Sequence, residues 1–99
     1  MSQDKLTKLA RGQPCEIRVP GICNHDPETT VACHFRLSGI SGIGLKAPSL
    51  FIAFGCSACH EAVDGRRQTD FTRGTLHLMH AEGVFRTQAR LIDMGVIKW

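Results

Sequence analysis

Leu50-Phe51-Ile52-Ala53-Phe54-Gly55-Cys56-Ser57-Ala58-Cys59-His60-Glu61-Ala62-Val63-Asp64-Gly65 is the stretch that decides the fold. Leu50 to Phe54 is a short uncharged run, which reads as a buried strand. Cys56 and Cys59 then form a knuckle, in which two thiolates converge while backbone amides offset their charge. Ser57 to about Asp64 reads as a helix, and Gly65 stands where a helix C-cap needs a left-handed residue. Strand, knuckle and helix follow one another without a linker.

A two-cysteine knuckle is half a metal site, and the other half lies upstream. Cys15 and Cys23 are separated by seven residues, a hairpin-sized loop. Four thiolates at tetrahedral geometry make a closed structural zinc site, so Cys15, Cys23, Cys56 and Cys59 are the expected Zn²⁺ ligands. The chain holds 5 cysteines, an odd number, so internal disulfides cannot pair them all. Cys33 is left over and reads as a small apolar strand residue. The first twenty residues show no apolar signal-peptide core. A cytoplasmic protein with reduced thiols is therefore expected. A structural zinc adds on the order of 10 kcal/mol to the folding of small domains.

The remaining pattern is that of a single domain over residues 1–99. Its 12 Lys+Arg against 9 Asp+Glu give +3, a mild basic bias compatible with nucleic acid. With 42% hydrophobic and 21% charged residues, global disorder is excluded. The longest aliphatic and aromatic run, Leu50–Phe54, is too short to span a membrane. Asp4–Ala10 reads as a short helix, Cys15–Val19 as an alternating strand, and Thr29–Leu37 as a strand carrying His34. Ser38–Ser49, with its glycines and proline, reads as a loop. Phe71–Met94 reads as a long helix, with Leu76, Met79, Gly83, Thr87, Leu91 and Met94 at helical spacing and a bend expected at Gly83. The class is α+β.

Two literal motif matches fail on chemistry. Cys56-Ser57-Ala58-Cys59-His60 fits the attachment motif of c-type haem, but that reading needs export and leaves Cys15 and Cys23 unused. Gly39 to Lys46 has the look of a phosphate loop, but Leu45 separates the last glycine from Lys46 and Ala47 follows it.

His60 and Asp64 are four residues apart, so on a helix they face the same side and can share one metal ion. The same spacing also suits a plain surface hydrogen bond. His34 lies on a strand between the two cysteine pairs. Arg36, Lys46, Arg66 and Arg67 cluster around these motifs, as phosphate contacts or as solvated surface charge. His25, His77 and His80 read as surface or packing histidines. A strand histidine, a second strand and a ligand-bearing helix, all pinned by a four-cysteine zinc, is the arrangement of a ββα-metal nuclease.

On these residues the sequence resembles the HNH endonuclease superfamily, whose zinc-bearing members are treble-clef-like. More narrowly, it resembles the small prophage-encoded nucleases of the YbcO type. The resemblance covers nearly the whole chain. It rests on Arg11-Gly12-Gln13-Pro14-Cys15, Val19-Pro20-Gly21-Ile22-Cys23, Ala32-Cys33-His34, Gly44-Leu45-Lys46-Ala47-Pro48, and Cys56 through Arg66.

The resemblance implies a metal-dependent endonuclease acting on double-stranded or branched DNA. In it His34 would be the general base, His60 a ligand of the catalytic metal and Asp64 a further ligand. All three would converge on one pocket, apart from the cysteines. The catalytic ion would be Mg²⁺, Mn²⁺ or Zn²⁺. Two departures stand out. The middle asparagine of the HNH pattern is absent, because Asn24, upstream of His34, is the chain's sole asparagine. Cys33 precedes the base histidine where many members carry Asp or His. These departures suit the alternative, a catalytically silent zinc module that binds DNA or a phage or host protein.

Overall fold

The computed structural model describes residues 5–36 and 50–98. Its elements are α1 (Lys5–Lys8), a single 3-10 turn (Pro27–Thr29), β1 (Val31–His34), β2 (Ile52–Gly55), α2 (Ser57–Val63) and α3 (Arg73–Asp93). The protein is thus a small α+β fold with a two-stranded sheet and a long C-terminal helix.

The strands pair antiparallel, with Val31 opposite Gly55, Ala32 opposite Phe54, Cys33 opposite Ala53 and His34 opposite Ile52. Opposed residues share a sheet face, so the sheet divides the apolar residues in two. Cys33 and Ala53 belong to a core cluster with Ile17, Val19, Phe35, Leu76, Val84 and the cysteines. Ile52 and Phe54 pack with Ala10 and Leu91, and Ala32 joins them. Both clusters receive side chains from α3, which ties them together. β2 is buried at all four positions, as its uncharged sequence requires.

The free edge of β2 is closed by two non-strand partners. The Glu16 N–H donates to the Phe54 carbonyl at 2.6 Å, and the Phe54 N–H donates to the Thr87 hydroxyl of α3 at 2.9 Å. A buried backbone group left unpaired would cost about as much as a lost hydrogen bond, roughly 1–3 kcal/mol. Thr87 is itself fully buried, and this bond is what makes a hydroxyl tolerable there.

Two expectations are corrected. Cys15–Val19 is not a strand: Arg18 sits at φ 58°, a left-handed conformation that breaks the extended backbone, and the run is buried at Cys15, Glu16, Ile17 and Val19 without alternating. Among the described residues the strand expected over Thr29–Leu37 spans Val31–His34, because Pro27–Thr29 closes a 3-10 turn capped by the Asp26 carboxylate. Gly83 sits inside α3, which runs unbroken from Arg73 to Asp93. Its role is close approach: a Cβ there would lie 3.0 Å from Ile17 Cγ1 and 3.2 Å from Ala53 Cβ. The loop expected over Ser38–Ser49 lies outside the described residues.

Gly55 makes a still closer approach. A Cβ at that position would meet Ile17 Cδ1 at 2.7 Å and Cys33 Sγ at 2.8 Å, both inside van der Waals contact. Overfilling a packed core of this kind costs about 1–3 kcal/mol. We expect Gly55→Ala to lower unfolding free energy by that amount in urea denaturation, although alanine is no worse a strand residue than glycine.

Candidate metal centre and the histidines around it

The four cysteines meet as expected. The sulfurs of Cys15, Cys23, Cys56 and Cys59 all lie within 4.8 Å of one another. Cys23 and Cys56 are 3.9 Å apart, far beyond a disulfide bond. A tetrahedral ion with metal–sulfur bonds near 2.3 Å places its sulfurs about 3.8 Å apart. The cluster therefore fits a thiolate-bound metal ion, and these four residues could hold one.

Backbone amides surround the sulfurs, which is how thiolate charge is offset away from water. The Arg18 N–H points at Cys15 Sγ at 3.5 Å, and the Val19 N–H at Cys59 Sγ at 3.4 Å. Cys56 Sγ accepts from the amides of Asn24 and Cys59, each at 3.4 Å, and caps the N-terminus of α2. A hydrogen bond between the Cys59 and Cys15 sulfurs lowers Cys15 to a pKa of about 4 and pushes Cys59 up. Burial pushes Cys23 up to about 11. Metal binding here must therefore expel protons.

The cysteine loop is locked to α3 by a side chain that the sequence did not flag. Glu16 is 1% exposed. Its carboxylate pairs with Arg90 Nε and, at 2.8 Å, with Arg18 Nη2. Arg86 donates to the backbone carbonyls of Glu16 and Ile17 at 2.7 and 3.3 Å. The residue next to Cys15 is thus held by two arginines of α3, one turn apart. Asn24 plays a parallel structural part, since its amide donates to Ser57 Oγ at 3.1 Å and its Oδ1 accepts from the Asp26 N–H at 2.8 Å. It ties the cysteine loop to α2.

His60 and Asp64 are brought together on α2, with Nε2 3.3 Å from Oδ2. The same Asp64 oxygen accepts from Arg66 at 3.1 Å, and Arg67 pairs with Glu61 at 3.0 Å. Each of these side chains is about one-third exposed or more, so the pairs are open to water and exchange partners at little cost. His34 is exposed at the end of β1, on the Ile52 face of the sheet and opposite to Cys33. Among the described residues the four cysteines are the one group of three or more ligand-type side chains gathered around a point. His34 does not join His60 and Asp64 in a second such group. Arg36 is exposed beyond β1. Lys46 lies outside the described residues.

Cys33 is 1% exposed, and burial raises its thiol well above the ordinary cysteine value. It is a neutral core thiol, as its strand position suggests. His80 is the histidine whose role sequence reasoning missed. It is buried on the inner face of α3, in line with Leu76, Gly83 and Thr87, and that helical spacing was the available signal. Its Nε2 lies 3.0 Å from the Cys33 carbonyl. Its ring meets Phe35 edge-on at 5.0 Å, and the exposed His77 ring tilts against Phe35 at 4.6 Å.

Removing one partner of a buried ion pair strands the other charges and costs roughly 3–5 kcal/mol. Arg18 and Arg90 are each about one-third exposed or more, so water recovers part of that. Glu16→Ala should therefore lose about 3 kcal/mol, measured by chemical denaturation of the metal-loaded protein, and weaken metal retention by loosening Cys15.

The fold and these contacts can now be set beside known proteins. Residues 4–96 match the family model described as "Putative nuclease YbcO". The chain is 46% identical over 94 residues to "Putative nuclease YbcO" of Escherichia coli strain K12, covering 94% of this chain and 96% of that one. A protein of Enterobacteria phage 82 called "Putative nuclease ybcO" matches to the same extent. A solved structure described as a putative bacteriophage protein from Escherichia coli K-12 superposes with a TM-score of 0.75 at 40% identity, over 91% of this chain and 99% of that one. With nearly its full length matched by the family model and by relatives at this identity, the chain belongs to the YbcO nuclease family.

Proposed function

We propose that this chain is a metal-dependent endonuclease of the HNH type, a single domain over residues 1–99 that hydrolyses DNA phosphodiester bonds. The observation that carries the reading is the His60–Asp64 pair, 3.3 Å apart, on the helix whose first turn is pinned by Cys56 and Cys59. Membership of a nuclease family supplies the reaction class. The four cysteines would hold a structural Zn²⁺, which sulfur ligands and tetrahedral spacing favour. His60 and Asp64 would hold a second divalent ion, Mg²⁺, Mn²⁺ or Zn²⁺. That ion would supply charge neutralisation on the phosphodiester.

The chain's own residues divide the remaining work. His34 is the general base: exposed on its strand, its imidazole can take a proton from water. The water oxygen then bonds to phosphorus as the bond to the 3′-oxygen breaks. Asp64 accepts a hydrogen bond from Arg66 as well as facing His60, so it can orient the His60 ring. Arg36, Lys46, Arg66 and Arg67 would contact phosphates of a double-stranded or branched duplex. Arg66 and Arg67 would first exchange exposed carboxylates for phosphate oxygens, an exchange that costs little. Among the described residues no helix is long and apolar enough to cross a membrane, and a cytoplasmic site of action fits the reduced thiols of the centre. The missing HNH asparagine and the separation of His34 from the His60–Asp64 pair favour the second reading, a silent zinc module that binds DNA or a phage or host protein.

Nicking of supercoiled plasmid and of branched duplexes, scanned over Mg²⁺, Mn²⁺ and Zn²⁺, separates the two. We expect cleavage by the wild type and a loss of at least about 100-fold in His34→Ala, the usual scale for a general base, with DNA binding retained. His60→Ala should be partly rescued by added metal. Tight binding with no nicking under any of these ions would establish the silent module.

The structural centre is tested separately. Cys59→Ser should release one zinc per chain by elemental analysis and abolish the cooperative thermal transition, as prolonged chelation of the wild type should. A cysteine-to-serine variant that melts like the wild type would remove the structural role assigned to the metal.

A further inference from the structure

His34 is exposed, so little packs against its side chain, and its direction is set by the backbone that carries it. That backbone is short of support. β1 has four residues and ends at His34, after which one further bond, Phe35 N–H to the Phe51 carbonyl at 2.8 Å, continues the pairing. The other support comes from α3. His80 Nε2 lies 3.0 Å from the carbonyl oxygen of Cys33, the oxygen of the very peptide that joins Cys33 to His34. A carbonyl only accepts, so Nε2 carries the proton. The ring is 8% exposed, and burial lowers its basicity. The same ring stands edge-on to Phe35 at 5.0 Å and 90°. One imidazole from the middle of α3 therefore grips the residues on both sides of His34, from the sheet face opposite the His34 side chain.

Packing alone does not call for this residue. The position lies on the apolar face of α3 between Leu76 and Val84, where leucine would fill space without burying a polar ring. A buried imidazole is tolerated only where its N–H finds a partner, and here the partner is the peptide of the proposed base. Small displacements of a reacting group are expensive, since an error of about 1 Å can cost 100-fold in rate.

We propose that His80 is a positioning residue for His34: its hydrogen bond to the Cys33 carbonyl fixes the peptide plane that aims the His34 imidazole at the phosphodiester. The proposal rests on the reading of His34 as general base.

The test compares His80→Leu, which fills the space but cannot donate, with His80→Gln, whose amide nitrogen is as many bonds from Cα as Nε2. Both are studied as zinc-loaded full-length protein. Two quantities are read: the ¹H–¹⁵N resonances of the His34 amide and ring without DNA, and kcat and KM for plasmid nicking. His80→Leu should shift the His34 resonances and lower kcat at least 10-fold with KM within twofold of wild type. His80→Gln should restore both. If His80→Leu does not fold, His80→Asn replaces it, the same amide on a shorter arm, and should lose kcat where His80→Gln keeps it. Unmoved His34 resonances, wild-type kcat in the leucine or asparagine variant, or glutamine no better than either overturns the proposal. A wild-type protein that nicks while His80→Leu nicks equally well sinks this inference alone. A wild-type protein that never nicks sinks the nuclease reading and this one together.

Discussion

Two segments distant in sequence are joined at four sulfur atoms within 4.8 Å of one another. Everything else in the molecule depends on that junction. The loop from Cys15 to Cys23 has no regular secondary structure, yet Ile17 and Val19 are almost wholly buried within it. Such a loop keeps its shape because its amides are aimed at sulfur, and because the sulfurs must converge on a common centre. A sheet of two four-residue strands is too small to be stable alone. The cysteine junction and the long helix supply what the sheet lacks.

α3 is the second organiser, and it acts through polar contacts as much as apolar ones. Arg86 and Arg90 reach Glu16 beside Cys15, Thr87 closes the edge of β2, and His80 holds the Cys33 peptide. Each contact reaches a different segment: the cysteine loop, the second strand and the first. Among the described residues no buried side-chain nitrogen or oxygen lacks a hydrogen-bond partner. A core this small with this many polar members needs that completeness, because a single unpaired buried group costs a sizeable fraction of a marginal stability. Gly83 and Gly55 complete the scheme by letting α3 and β2 approach Ile17 without a Cβ between them.

How much of this could be read from residues alone follows from the kind of interaction involved. The knuckle, the buried strand before it and the helix after it were legible, because their signals are local: two cysteines at short spacing, an uncharged run, a glycine at φ 81° after the helix. Cys15–Val19 misled because alternation of polar and apolar residues is also what a cysteine loop shows when one carboxylate turns inward. Glu16 looked like a solvent-facing strand residue, and only its arginine partners far along the chain make its burial possible. The partner of His80 was illegible for a related reason, since it is a backbone carbonyl and carbonyls leave no mark in a sequence. The candidate site divides along that line. The spacing of His60 and Asp64 announced their contact, whereas the side of the sheet taken by His34 depends on the register of β1 against β2.

That register has a consequence for how the two histidines relate. His60 is one residue from Cys59, so its position is set by the metal centre through a single turn of helix. His34 has no such link, because the Cys33 side of its strand faces the core and the His34 side faces away. Two elements relate them: β2, which pairs with β1 and runs straight into Cys56, and α3, which touches the cysteine loop through Glu16 and the His34 strand through His80. If both histidines serve one reaction, the distance between them is maintained across the sheet and braced by the helix. A rigid helix can hold that distance, because its intrahelical hydrogen bonds allow little bending over the roughly three turns that separate His80 from Arg90. The metal centre thus positions one half of the proposed site directly, and the other half through the strand that leads into Cys56 and through a helix that carries none of the proposed chemistry.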